Sequence, residues 1–128
     1  MAQRNSEWIQ CKYYEFGKTG SGNSPADPAA PVDGNILQLL AGDVVLGCDC
    51  VITAAVTGTI TVGDDDDPDG FMTSTEITEA TPGAYSGNGA YLTSNAKKYY
   101  AVDTKEVKLD QTTISAGAFC IVVRGYKI

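Results

Sequence analysis

Residues 44–56 alternate. Val44, Leu46, Cys48, Cys50, Ile52, Ala54 and Val56 fall on one side, and Val45, Gly47, Asp49, Val51, Thr53 and Ala55 on the other. A two-residue period marks a strand with one buried face, so the first set is expected inward. A strand this long usually bends, and Gly47 is the expected place. Before it, residues 36–40 (ILQLL) are a short apolar run and Ala41-Gly42-Asp43 reads as a turn. Residues 59–62 (TITV) form a strand with Ile60 and Val62 inward.

Thr73 and Glu76 have the spacing of a capping box, which predicts one or two helical turns over 73–80, stopped by Thr81-Pro82-Gly83. Residues 84–95 (AYSGNGAYLTSN) read as a loop, and residues 98–102 and 106–112 as strands. Ser115-Ala116-Gly117 turns the chain into residues 118–127 (AFCIVVRGYK), the most apolar strand. The stretches LLAGDVVLGCDCVI and TISAGAFCIVVRGYKI look alike, as two similar hairpins in facing sheets would. Short strands punctuated at regular intervals predict an all-β fold. The natural closure is an antiparallel β-sandwich with one short helix, and a jelly-roll winding is one option.

The first 34 residues break the pattern. Residues 8–16 (WIQCKYYEF) are aromatic-rich and fit either a strand or an anchor docked on a neighbouring molecule. Residues 17–34 have no periodicity and carry Pro25, Pro28 and Pro31, the composition of a linker. The expected organisation is an extended N-terminal arm and linker over 1–34 and a β-sandwich domain over 35–128.

Composition narrows the chemistry. The chain has 128 residues, enough for one domain with a real core. Its net charge of −7 argues against a nucleic-acid partner and against docking on an anionic membrane. It has no histidine, which removes the commonest general base, the Ser-His and Cys-His pairs and His-ligated zinc. Carboxylate pairs alone are a poor basis for a small glycosidase, and no catalytic residue or cofactor is expected. The N-terminal segment lacks the apolar core of a signal peptide, so synthesis in a cytoplasm is expected. In such a compartment Cys11, Cys48, Cys50 and Cys120 are expected reduced, as small core hydrophobes, with Cys48 and Cys50 on one strand face. Tyr85, Tyr91, Tyr99 and Tyr100 fit a core or interface better than a sugar-stacking platform.

One loop carries a specific question. Asp64, Asp65, Asp66, Asp67 and Asp69 crowd the stretch GDDDDPDGFMTSTE. Asp65, Asp67, Asp69, Gly70 and Glu76 fall on D-x-D-x-D-G-x5-E, the spacing of an EF-hand calcium loop. Asp65, Asp67, Asp69 and Glu76 are therefore the candidate metal ligands. Against them, the incoming segment alternates as a strand where an EF-hand needs a helix, and Pro68 stiffens the fourth position. An acidic turn is the expected reading, since Asp side chains bond nearby amides and Gly supplies positive φ.

Several of these residues also carry a resemblance. Ala41-Gly42-Asp43, the strand after it, residues 58–64 (GTITVGD) and residues 67–71 (DPDGF) resemble small structural proteins of tailed bacteriophages. Residues 89–92 (GAYL), 98–101 (KYYA) and the Ala116-Gly117 turn are similar to the same family, so the likeness spans about 35–128. The resemblance implies a virion component, and most specifically a head decoration, or cement, protein. That in turn implies a homo-oligomer, a trimer by analogy, bound to the major capsid protein on the capsid surface. The alternative is a calcium-dependent adhesion or carbohydrate-binding module of a phage tail or fibre.

Overall fold

The computed structural model describes residues 6–16, 35–102, 105–112, 114 and 116–128. Among the described residues eight strands form two antiparallel sheets. The larger is centred on β3 (Asp43–Ala54) paired with β8 (Gly117–Lys127), with β1 (Ser6–Phe16) on the far side of β8. On the other side of β3 lie two short strands, β5 (Gly83–Ser86) near its end and β6 (Lys98–Tyr99) near its start. The smaller sheet places β7 (Glu106–Thr112) between β2 (Asn35–Gln38) and β4 (Thr59–Gly63). Among the described residues no helix is long and apolar enough to cross a membrane.

The two sheets close on one core. Tyr14, Phe16, Val45, Cys48, Cys50, Ile52, Phe119, Ile121 and Val123 come from the larger sheet, and Ile36, Ile60, Val62, Val107 and Leu109 from the smaller. Burying each large apolar side chain contributes roughly 1.5–3 kcal/mol, so the alternating strand faces are what hold the sandwich shut. The expected all-β antiparallel sandwich is what the chain forms.

The face assigned to β3 needs a correction. Its register with β8 moves from Val45–Gly125 to Gly47–Arg124, leaving Leu46 as the extra residue of a bulge. The bulge reverses the parity, so Val45 points inward before it and Cys48, Cys50 and Ile52 after it. Val44 and Leu46 are outside the core cluster. The bend lies beside Gly47, as expected.

Residues 8–16 take the strand reading. β1 runs the whole length of β8, from Ser6–Lys127 to Phe16–Gly117. Tyr14 and Phe16 stack on Phe119 with ring centroids 5.2 and 6.0 Å apart. The Trp8 indole donates to Asp43 Oδ1 at 3.2 Å. Ser6–Phe16 is thus part of the sandwich, because its aromatic face completes the core over β8. The rest of the expected arm and linker, 1–5 and 17–34, lies outside the described residues. The two look-alike segments also prove to be neighbours, since β3 and β8 share one sheet.

The helix is shorter than expected, a single 3-10 turn over Ser74–Glu76 that keeps the Thr73–Glu76 capping box. The chain leaves it at Ile77, whose side chain is buried, and Glu79 then accepts the Val56 and Ile60 amides at 2.8 and 3.1 Å. The 84–95 loop contains β5 and a second 3-10 turn, Thr93–Asn95. Within 98–102 only Lys98–Tyr99 is strand. Tyr100 turns inward, held by Asp43 through a 2.8 Å backbone bond.

Candidate functional site

The acidic loop is built around Asp64, a residue outside the calcium spacing. Asp64 follows β4, is 2% exposed, and its carboxylate accepts four bonds. Oδ1 takes the amides of Asp66 and Asp67 at 3.0 and 2.9 Å and the Tyr91 hydroxyl at 3.0 Å. Oδ2 takes the Tyr100 hydroxyl at 2.7 Å. Burial pushes this carboxyl up, but the bonds from Tyr100, Asp67, Tyr91 and Asp66 outweigh it and hold Asp64 below the usual carboxylate range. Burial and the Asp64 charge together push both tyrosine hydroxyls up, so they remain donors.

The rest of the turn follows from this anchor. The Asp67 carbonyl accepts the Asp64 and Gly70 amides at 3.1 and 2.9 Å, and Val62 and Met72 exchange two backbone bonds of 3.0 Å. A Cβ on Gly63 would collide with the Asp67 carbonyl oxygen, so only glycine fits there. At Gly70 a Cβ would stand 2.6 Å from the Tyr91 ring. Tyr91 packs edge-on against Phe71 at 5.2 Å, and the Lys98 ammonium sits 4.5 Å from its ring centre.

Of the four candidate metal ligands only Asp67 and Asp69 meet; Asp65 and Glu76 are engaged elsewhere. Asp65 pairs with Lys108 at 2.6 Å, as its neighbour Asp66 does with Lys105 at 3.0 Å. A hydrogen-bonded contact with Asp69 pushes the Asp67 carboxyl up, and Asp69 itself is exposed. Glu76 turns back into the protein, where Oε1 accepts the Thr73 and Asn88 amides at 2.9 and 2.8 Å. Its other oxygen takes the Thr73 and Thr75 hydroxyls. Burial raises this carboxyl, and those bonds, led by Thr73, more than offset it and hold Glu76 low. Among the described residues no group of three or more His, Cys, Asp or Glu side chains is placed to hold a metal ion.

The tyrosines divide. Tyr91 and Tyr100 belong to the Asp64 network, and Tyr85 donates to the Thr81 carbonyl at 2.6 Å. Tyr99 is 53% exposed. Cys48 and Cys50 are buried as expected, and burial pushes the Cys50 thiol up to about 12. Cys120 is only partly buried and outside the core cluster, and Cys11 departs further from the expectation. It is exposed, because β1 turns its odd-numbered residues away from the core. Sequence reasoning passed over Asp64, whose tyrosine partners lie 27 and 36 positions downstream, beyond the reach of a local pattern.

No family model matches the sequence, and no curated protein matches it. Solved structures do share its fold. A chain of the cyanophage Pam1 capsid asymmetric unit superposes with a TM-score of 0.61 at 17% identity, over 97% of this chain and 86% of that one. A chain of the acid-stable capsid of Helicobacter pylori bacteriophage KHP30 does so with a TM-score of 0.62 at 11% identity, over 96% and 88%. At these identities the likeness is one of fold, and the fold this chain shares is found in chains of two phage capsid structures.

Proposed function

We propose that this chain is a structural virion protein, a decoration or cement protein that binds the phage head lattice as a homo-oligomer and stabilises it. The single observation that carries the reading is the near full-length fold likeness to chains of two phage capsids. The strand order supports a jelly-roll winding, with β1-β8-β3 bordered by β5 and β6 in one sheet and β2-β7-β4 in the other. On this reading the chain works by interface area and not by chemistry. Its partners are the major capsid protein and its own copies, a trimer by analogy with phage decoration proteins, on the outer surface of the head.

The calcium-dependent adhesion reading is less well supported. Asp65 and Glu76 are engaged by Lys108 and by backbone amides of their own chain. The test is co-sedimentation of the full chain with capsid shells stripped of it. Saturable binding that raises the temperature at which shells open supports the proposal, and absence of binding overturns it.

A further inference from the structure

A recess of about 500 Å³ opens on the outer face of the larger sheet, between the β3–β8 pair and the 86–97 loop. Ser86, Asn88, Ser94, Asn95, Lys97 and Arg124 bring polar side chains to it. Among the described residues none of these six side chains makes a hydrogen bond or ion pair within the chain. All six are exposed, so water satisfies them in the isolated chain and a partner's polar groups can take that water's place. Arg124 lies along β3 at its bulge. It lies opposite Gly47 in the β3–β8 register, and a Cβ on Gly47 would stand 2.6 Å from its guanidinium Nη2. Glycine at the bulge is what lets the guanidinium lie against β3. Ser94 and Asn95, on the rim, hold φ of 61° and 65°, conformations that cost L residues energy and cluster at binding sites.

The chemistry of the occupant follows from the lining. Arg124 and Lys97 outnumber the one carboxylate there, Asp49, so the recess is locally cationic on a chain of net charge −7. No aromatic side chain lines it, which leaves a sugar without a stacking surface. The complementary surface is on the same chain. Asp67 and Asp69 stand side by side on the exposed turn of the acidic loop, and no lysine or arginine among the described residues pairs with them. Asp65 and Asp66, by contrast, each have a lysine. A turn with two carboxylates that no lysine or arginine pairs and a recess with a surplus of cations are complementary when copies meet.

We infer that the Asp67–Asp69 turn of one copy docks in the Arg124–Lys97 recess of a second copy. This contact deepens the homo-oligomer part of the proposed function and rests on that reading. A two-fold pair or a closed ring of copies can each use it.

The test is multi-angle light scattering on the full chain across a range of protein and salt concentrations, without shells. The wild type is expected to associate, less so as salt rises, and Arg124→Glu to weaken association about tenfold or more. Asp69→Arg should weaken it similarly, and the two together should restore it, because each copy then carries the reversed pair. Gly47→Ala should weaken association by displacing Arg124 while leaving the circular dichroism spectrum unchanged. Restoration by the double reversal supports the contact even where one single variant folds poorly. A monomeric wild type, or association insensitive to Arg124→Glu, overturns it. Shell binding by a monomer would leave the virion reading standing while removing this contact.

Discussion

The Tyr100 hydroxyl donates to Oδ2 of Asp64 at 2.7 Å, joining positions 36 residues apart inside the protein. With Tyr91 on Oδ1 and the Asp66 and Asp67 amides beside it, one buried carboxylate ties the end of β4 to the 91–100 segment. The acidic loop is shaped from within by this residue, while its other aspartates face solvent or lysines. Asp64→Ala would strand two hydroxyls and two amides, and is expected to cost about 3–5 kcal/mol. Tyr100→Phe should cost about 1–2 kcal/mol, and Asp65→Ala, which removes an exposed pair, less than about 1. Urea unfolding of the three variants measures this. Equal losses for Asp64→Ala and Asp65→Ala would contradict it.

Acid should unfold the protein partly through the same residue. Asp64 and Glu76 are both held below their ordinary values in the folded chain. Their contribution is therefore present above the unfolded carboxylate range, about pH 4, and is lost as pH falls through the lower folded values. In that window the unfolded chain has bound a proton that the folded chain has not. Wild type should lose stability more steeply below about pH 4 than Asp64→Asn does. Parallel losses in the two proteins would rule the linkage out.

Glu76 is a structural cap. Glu76→Gln should lower stability by about 0.5–2 kcal/mol through the capping box and the Asn88 amide. Calcium and a chelator should give the same melting temperature in wild type. A clear rise at micromolar calcium would show that the loop rearranges into a metal site.

How much of this was legible depended on whether a signal was local. The strand within 44–56, the 59–62 strand and the capping box are near-neighbour patterns, and each is present, although the inward face of the first strand holds only from Cys48 to Ile52. The bulge at Leu46 left no mark in the alternation, because Val44, Val45 and Leu46 are all apolar and either parity reads well. β1 was ambiguous for a different reason. An aromatic strand next to a Pro-rich stretch has the same composition whether it covers β8 of its own chain or another molecule. The calcium spacing falls on residues that bond within the chain, Asp65 to Lys108 and Glu76 to the Thr73 and Asn88 amides. Which of them is buried depends on Tyr91 and Tyr100, which lie 27 and 36 positions from Asp64.

The core role of β1 makes truncation costly. Phe16→Ala opens space over Phe119 and is expected to cost about 3–5 kcal/mol. A chain lacking residues 1–34 loses Tyr14, Phe16 and all the β1 pairing along one side of β8, and should show no cooperative unfolding transition. A truncated chain that melts as sharply and as late as the full one would contradict this assignment.

The central claim is that the protein stands on the phage head, and a cryo-EM map of the particle that carries it tests this most directly. The account predicts symmetric clusters of eight-stranded sandwiches on the outer face of the head lattice, each contacting the major capsid protein. Finding the chain in the tail, or in no part of the particle, would contradict it.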